Sequence, residues 1–169
     1  SRTAAIGSGI LAEYALRCAE QGMEAGALAA LLEKKREDVR LFALLDTLEY
    51  LKRGGRISKT VAFAGGLLNI KPLITVEDGE VLVVGKARGA KQGMALLTEK
   101  LLSDGGINFD LPILLGYSGT DASNLEKYRA DSRETWQGRG DTLPSTLLCS
   151  VIGTHTGPGV VAAACFKND

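Results

Sequence analysis

An α/β domain built on a mixed sheet is the fold this sequence predicts, and three observations predict it. Segments with helical periodicity alternate with short apolar runs of strand character. Glu77-Asp78-Gly79 separates two such runs, Leu73 to Val76 and Val81 to Gly85, which signals a hairpin and hence an antiparallel pair. Two further strand candidates, Ser145 to Ile152 and Val160 to Phe166, close the chain around a turn at His155. Pairs of that kind inside an αβ alternation make the sheet mixed rather than all parallel.

The remaining elements come in chain order. Ile6, Ile10, Tyr14 and Cys18 recur every four residues on one helical face, and Gly22 ends that helix. A second helix, about Glu24 to Glu37, carries Leu28, Leu31 and Leu32 and a solvated charged tail. Leu41 to Leu45 is an all-apolar run and reads as a buried strand. Asp46, with Glu49 three residues on, reads as a capping box, and Gly54 and Gly55 end the helix where the chain needs a positive φ. Ser58 is placed to cap a helix from Lys59 to about Leu68, whose free N–H groups attract anions. From Ala90 the spacing of Met94, Leu97 and Leu101 marks a helix that stops at Gly105-Gly106. Pro112 to Tyr117 reads as a strand, Asp121 as the cap of a helix to about Trp136, and Gln137 to Pro144 as a loop.

Composition narrows the function classes. With 169 residues, 45% hydrophobic content and four prolines, the chain buries a core of one domain, or of one domain and part of another. The formal net charge is zero, so no global field argues for nucleic acid or an anionic membrane, and any anion site is local. Cys18, Cys149 and Cys165 have no metal-ligand or disulfide-framework spacing and read as reduced thiols of a cytoplasmic protein. No apolar run approaches the ~18 residues of a membrane span. Gly79 to Lys86 departs from a phosphate-binding loop in spacing, and Ala87 stands where that loop needs Ser or Thr. One histidine and no clustered acids leave no transition-metal site.

Several residues carry candidate chemistry. Arg56 follows the double glycine, where it is either a solvated helix-closing cation or an anion ligand. Arg88 leaves the hairpin ahead of a helix, fit for a surface or a ligand contact. His155 precedes Gly-Pro-Gly, where it either bonds local backbone or donates one directed N–H to a ligand. Val61, Phe63, Ala64, Leu67 and Leu68 form an apolar set that is plain core by spacing, or, given the small residues among them, the lining of an acyl channel. Ser118, Asp121 and His155 occur in the order of an α/β-hydrolase triad, but Thr120 stands where the nucleophile elbow needs Gly. A nucleic-acid surface on Lys52, Arg53, Arg56 and Lys59 has few aromatics to accompany it.

Longer motifs sharpen the reading. LEYLKRGGRIS from Leu48, LLNIKPLI from Leu67, the DG turn, KARGAKQG from Lys86 and THTGPG from Thr154 together resemble the signature of the DegV family of fatty-acid-binding proteins. The resemblance implies a DegV-like C-terminal α/β domain over residues 39–169, with mixed sheet and flanking helices. Residues 1–38 are then a helical remnant bordering a Rossmann-like N-terminal domain that is mostly absent. It implies a carrier, with no catalytic residues or cofactor of its own. Such a carrier sequesters a long-chain fatty acid and presents its carboxylate to an ATP-dependent kinase partner for acyl-phosphate formation. Arg56 and His155 are implied at the head group, Arg88 on the kinase-facing side. The family's other head-group donors are Thr and Ser hydroxyls of the N-terminal half, so the present chain is expected to hold half a site and to bind fatty acid weakly by itself. A serine hydrolase using Ser118, Asp121 and His155 is the alternative reading.

Overall fold

The computed structural model describes residues 1–57 and 69–168. Helix α1 (Ala5–Glu20) and helix α2 (Ala25–Lys35) lead, through a single 3-10 turn, into strand β1 (Val39–Leu44). A short helix α3 (Glu49–Arg53) comes next, then the hairpin of β2 (Ile70–Glu77) and β3 (Glu80–Arg88), helix α4 (Gly89–Ser103) and strand β4 (Leu114–Tyr117). Helix α5 (Ser123–Asp131), strand β5 (Ser145–Leu147), helix α6 (Ser150–Thr156) and strand β6 (Val161–Phe166) complete the described elements.

Six strands form one sheet in the order β3-β2-β1-β6-β4-β5. Every pairing is antiparallel except β4 with β5, so the sheet is mixed. Asp78 and Gly79, at φ 50° and 83°, form the two-residue turn that matches the twist of β2 and β3.

Alternation along the strands sorts the apolar residues into two cores. Phe42, Leu44, Val161, Ala163 and Cys165 face the layer of α4 and α5, together with Leu97, Leu101, Leu125, Tyr128 and Trp136. Leu41, Ala162, Ala164 and Phe166 face the other layer, where Ile6, Ile10 and Leu11 of α1 and Leu51 of α3 meet them. All six residues of β6 are buried, as expected for a central strand covered on both faces. The first 38 residues share this packing, because α1 lies directly on β1, β4 and β6. Helix α2 rests on α1 and buries no residue completely.

Three expectations need correction. Ser145 to Ile152 is not one strand: β5 is three residues long, and after Leu148 and Cys149 the chain turns into α6, whose Ile152 packs on the α1-side core. Consequently β5 and β6 are not neighbours, since β4 lies between them. The capping box at Asp46 does not form. Helix α3 starts at Glu49 after Leu48, Thr47 Oγ1 accepts the Glu49 N–H at 3.2 Å, and the Glu49 carboxylate pairs with Arg53 at 2.9 Å. Asp46 instead accepts from Lys71 Nζ at 2.6 Å, bridging to β2. Helix α5 is also shorter than its periodicity suggests. It ends at Asp131, and Trp136, still fully buried, is carried in by the turns beyond it.

Candidate functional site at the strand ends

The pairing pattern brings the motif residues to one end of the sheet. The C-terminal ends of β1, β3, β4 and β5 lie there with the N-terminal ends of β2 and β6. Arg56, Arg88, Ser118 and His155 all stand on segments attached to this end.

Helix α3 closes with paired hydrogen bonds that fix the path of the chain through Gly55 and Arg56. Gly55 N–H donates to Lys52 O at 3.1 Å and Arg56 N–H to Leu51 O at 2.9 Å, the two bonds of a Schellman motif. Gly55 carries the positive φ, at 67°, whereas Gly54 stays in the right-handed region. Arg56 is exposed, and its Nη1 donates to Gly54 O at 2.7 Å.

His155 lies in the last turn of α6, not in an open turn, and is half-buried. Its ring sits on Gly54 so closely that a Cβ there would overlap Nδ1. That Nδ1 is buried without a hydrogen-bond partner. Arg56 and His155 therefore both touch Gly54, Arg56 at its carbonyl oxygen and His155 at its Cα. Arg88 shares the strand end but not this contact. It is exposed at the end of the edge strand β3, paired with Ile70, and its backbone N–H donates to Gln92 Oε1 at 3.3 Å.

The loop after α6 is braced from β4. Ser118 Oγ donates to Gly157 O at 2.6 Å and accepts the Val160 N–H at 3.1 Å, while Asn124 Nδ2 donates to Gly159 O at 3.3 Å. Beside it opens a cleft of about 560 Å³, lined in part by Leu147, Leu148, Cys149, Thr154 and Pro158. These bonds remove the hydrolase alternative. Ser118 is only 2% exposed with its proton committed to a carbonyl. Asp121 has both carboxylate oxygens bonded to Ser123, the backbone N–H first and the hydroxyl second, which hold its carboxyl below the usual range.

The proposed lining residues Val61, Phe63, Ala64, Leu67 and Leu68, and the helix expected from Lys59, lie outside the described residues. Among the described residues no group of three or more His, Cys, Asp or Glu is placed to hold a metal ion, and no helix is long and apolar enough to cross a membrane. Sequence reading gave Asp46 only a capping role and gave Tyr50 and Gly157 no role of their own. Asp46 and Tyr50 precede Gly54 at intervals of four, a spacing that signals one face and was open to view.

Fold and strand ends together define an α/β domain that presents basic side chains from one rim of a mixed sheet. The chain belongs to the DegV family, whose model, described as an uncharacterised protein family, matches residues 1–168. A DegV domain-containing protein of Caldanaerobacter subterraneus subsp. tengcongensis is 36% identical over 159 residues, covering 94% of this chain and 55% of that protein. The structure of a DegV family protein from Thermus thermophilus, described as binding fatty acid, is 31% identical with a TM-score of 0.76, covering 96% of this chain and 57% of that one. The Streptococcus pneumoniae fatty acid kinase B3 protein, loaded with linoleic acid, has the same fold at 20% identity and a TM-score of 0.75, covering 94% of this chain and 55% of that one. The chain thus spans a little over half the length of these three proteins.

Proposed function

We propose that this chain supplies hydrogen-bond donors to a fatty-acid carrier's head-group site, with Arg56 and His155 facing the carboxylate. The observation that supports it is that Arg56 and His155 both contact Gly54. A buried acyl chain gains about 0.8 kcal/mol per CH₂, so a long tail supplies on the order of 10 kcal/mol before ordering costs. A carboxylate desolvated without partners would cancel much of that gain. A planar fork and one directed N–H are suited to prevent this, because hydrogen bonds to a charged group are the strong ones. The fatty-acid-binding description of the Thermus thermophilus protein supports the choice of anion.

The finer proposal is that the bound carboxylate is offered to an ATP-dependent kinase subunit, which converts it to an acyl phosphate, with Arg88 on the side facing that partner. Support comes from the name of the Streptococcus pneumoniae protein and from the position of Arg88 at the same strand end. Phosphoryl transfer builds negative charge at the head group, and fixed cations lower its energy. In this reading the chain carries and orients the substrate within a bacterial cytoplasm, and the kinase supplies nucleotide and metal.

The sequence holds one histidine, so imidazole NMR signals report His155 without assignment. Titrating the 169-residue chain with decanoate, kept below its micellar concentration, is expected to move those signals weakly but saturably, and Arg56→Ala is expected to abolish the shift. An imidazole that ignores decanoate while other residues respond would place the carboxylate elsewhere. Tight binding by this chain alone would overturn the half-site reading.

A further inference from the structure

Gly54 and Gly55 are glycines for different reasons. Gly55 needs the positive φ and has open space where a Cβ would stand. Gly54 has φ −76°, which any residue adopts, so its backbone conformation does not require glycine. His155 requires it, because the imidazole occupies the place of a Cβ.

We propose that Gly54 is a positioning residue for the head-group site. It seats the His155 ring with Nδ1 sealed against backbone, leaves Nε2 as the nitrogen that donates to a carboxylate, and ties the Arg56 guanidinium to the same peptide. The link to a carboxylate rests on the fatty-acid reading; the seat itself does not. A buried Nδ1 without a hydrogen-bond partner favours the tautomer carrying its proton on Nε2, since a buried lone pair without a donor is better tolerated than a buried N–H without an acceptor.

Two neighbouring contacts hold the seat in register. The Tyr50 ring occupies the place of a Gly157 Cβ, and the Asp46 carboxylate stands 3.0 Å from where a Gly159 Cβ would be. Positions 46, 50 and 54 thus meet 159, 157 and 155 in reverse order, each contact pressing one side chain onto one glycine. The segment ending in Arg56 and the stretch from His155 at the end of α6 to Gly159 are locked together by these three pairs. Ser118 and Asn124 brace the loop from behind.

The test uses the lone imidazole. In the wild-type chain its ¹⁵N–¹H correlations are expected to show the Nε2–H tautomer. Gly54→Ala is expected to replace that signature with the mixture typical of a free ring and to weaken decanoate binding by roughly tenfold, the loss of one directed bond to a charged group. Should Gly54→Ala not fold, the double variant with His155→Ala decides the matter. Removing the ring removes the obstacle, so the double variant is expected to unfold at the same urea midpoint as His155→Ala alone. A wild-type imidazole signature in Gly54→Ala, or a double variant clearly less stable than His155→Ala, overturns the proposal. An altered signature together with a wild-type imidazole that never responds to decanoate keeps the seat and overturns the fatty-acid reading.

Discussion

Ser118 illustrates how one hydroxyl, placed between two backbone groups, fixes the geometry of a neighbouring loop. Its Oγ donates to Gly157 O and accepts from Val160 N–H, satisfying both ends of the turn that leads from α6 into β6. Removing it leaves a buried carbonyl and a buried N–H unpaired, each a group whose desolvation is costly. Ser118→Ala is therefore expected to destabilise the protein by about 1–3 kcal/mol in urea unfolding. A fluorophosphonate probe is expected to leave Ser118 unlabelled, since the hydroxyl is buried and its proton is already given; labelling at that residue would restore the hydrolase reading. The same tight geometry explains why the residues around Gly54 were only half legible in the sequence. A double glycine announces a helix end, and Gly55 plays that part. That the first glycine is a seat for a ring a hundred residues away is a tertiary fact with no local signature.

At the scale of elements, those with a strong period were readable and those set by packing were not. Helix α4 was legible from Met94, Leu97 and Leu101, all of which are buried. The hairpin was legible from Asp78-Gly79, because only residues tolerant of positive φ make that turn. Helix α6 was hidden, since Leu147, Leu148, Val151 and Ile152 read as a strand by composition. Nothing in that composition marks the turn at Cys149, after which α6 begins and Ile152 meets a core already built by α1. The place of β6 between β1 and β4 was hidden for a similar reason: six residues buried on both faces identify a central strand but not its neighbours. Burial within one helix is itself testable. Leu97 is fully buried and Leu102 is 53% exposed, so Leu97→Ala is expected to lower stability by about 2–5 kcal/mol. Leu102→Ala is expected to stay within about 0.5 kcal/mol of wild type. Equal effects in denaturant titrations would mean that α4 packs by a different face.

The whole molecule is two cores sharing one sheet, and the α4–α5 side buries two ionisable groups, Tyr128 and Cys165. Burial pushes the Tyr128 phenol up from 10.0 to about 12, against the opposing pull of a hydrogen bond from the Thr98 hydroxyl at 3.5 Å. Burial likewise lifts the Cys165 thiol from 9.0 to about 12, with nearby Arg40 pulling it down and Asp104 pushing it up. Both groups are neutral when protonated, and both keep their protons in the folded state at a pH where the unfolded chain has released them. Between the unfolded and folded values the native state binds more protons, so stability falls as pH rises. It is fully present below pH 9.0, begins to decline as the unfolded thiol ionises, declines more steeply above 10.0 as the phenol joins, and is exhausted near 12. By then the two groups together have withdrawn on the order of several kcal/mol, a large share of a domain's marginal stability. Urea midpoints measured under reducing conditions across this range are expected to trace that curve. Because β6 carries Cys165 at the centre of the sheet, Cys165→Ala is expected to delay the onset of the decline from near pH 9.0 to near 10.0 while lowering the midpoint at neutral pH through the lost packing. An unchanged onset in that variant would mean that alkaline loss of stability arises outside the shared core, at the exposed rim where the basic side chains lie.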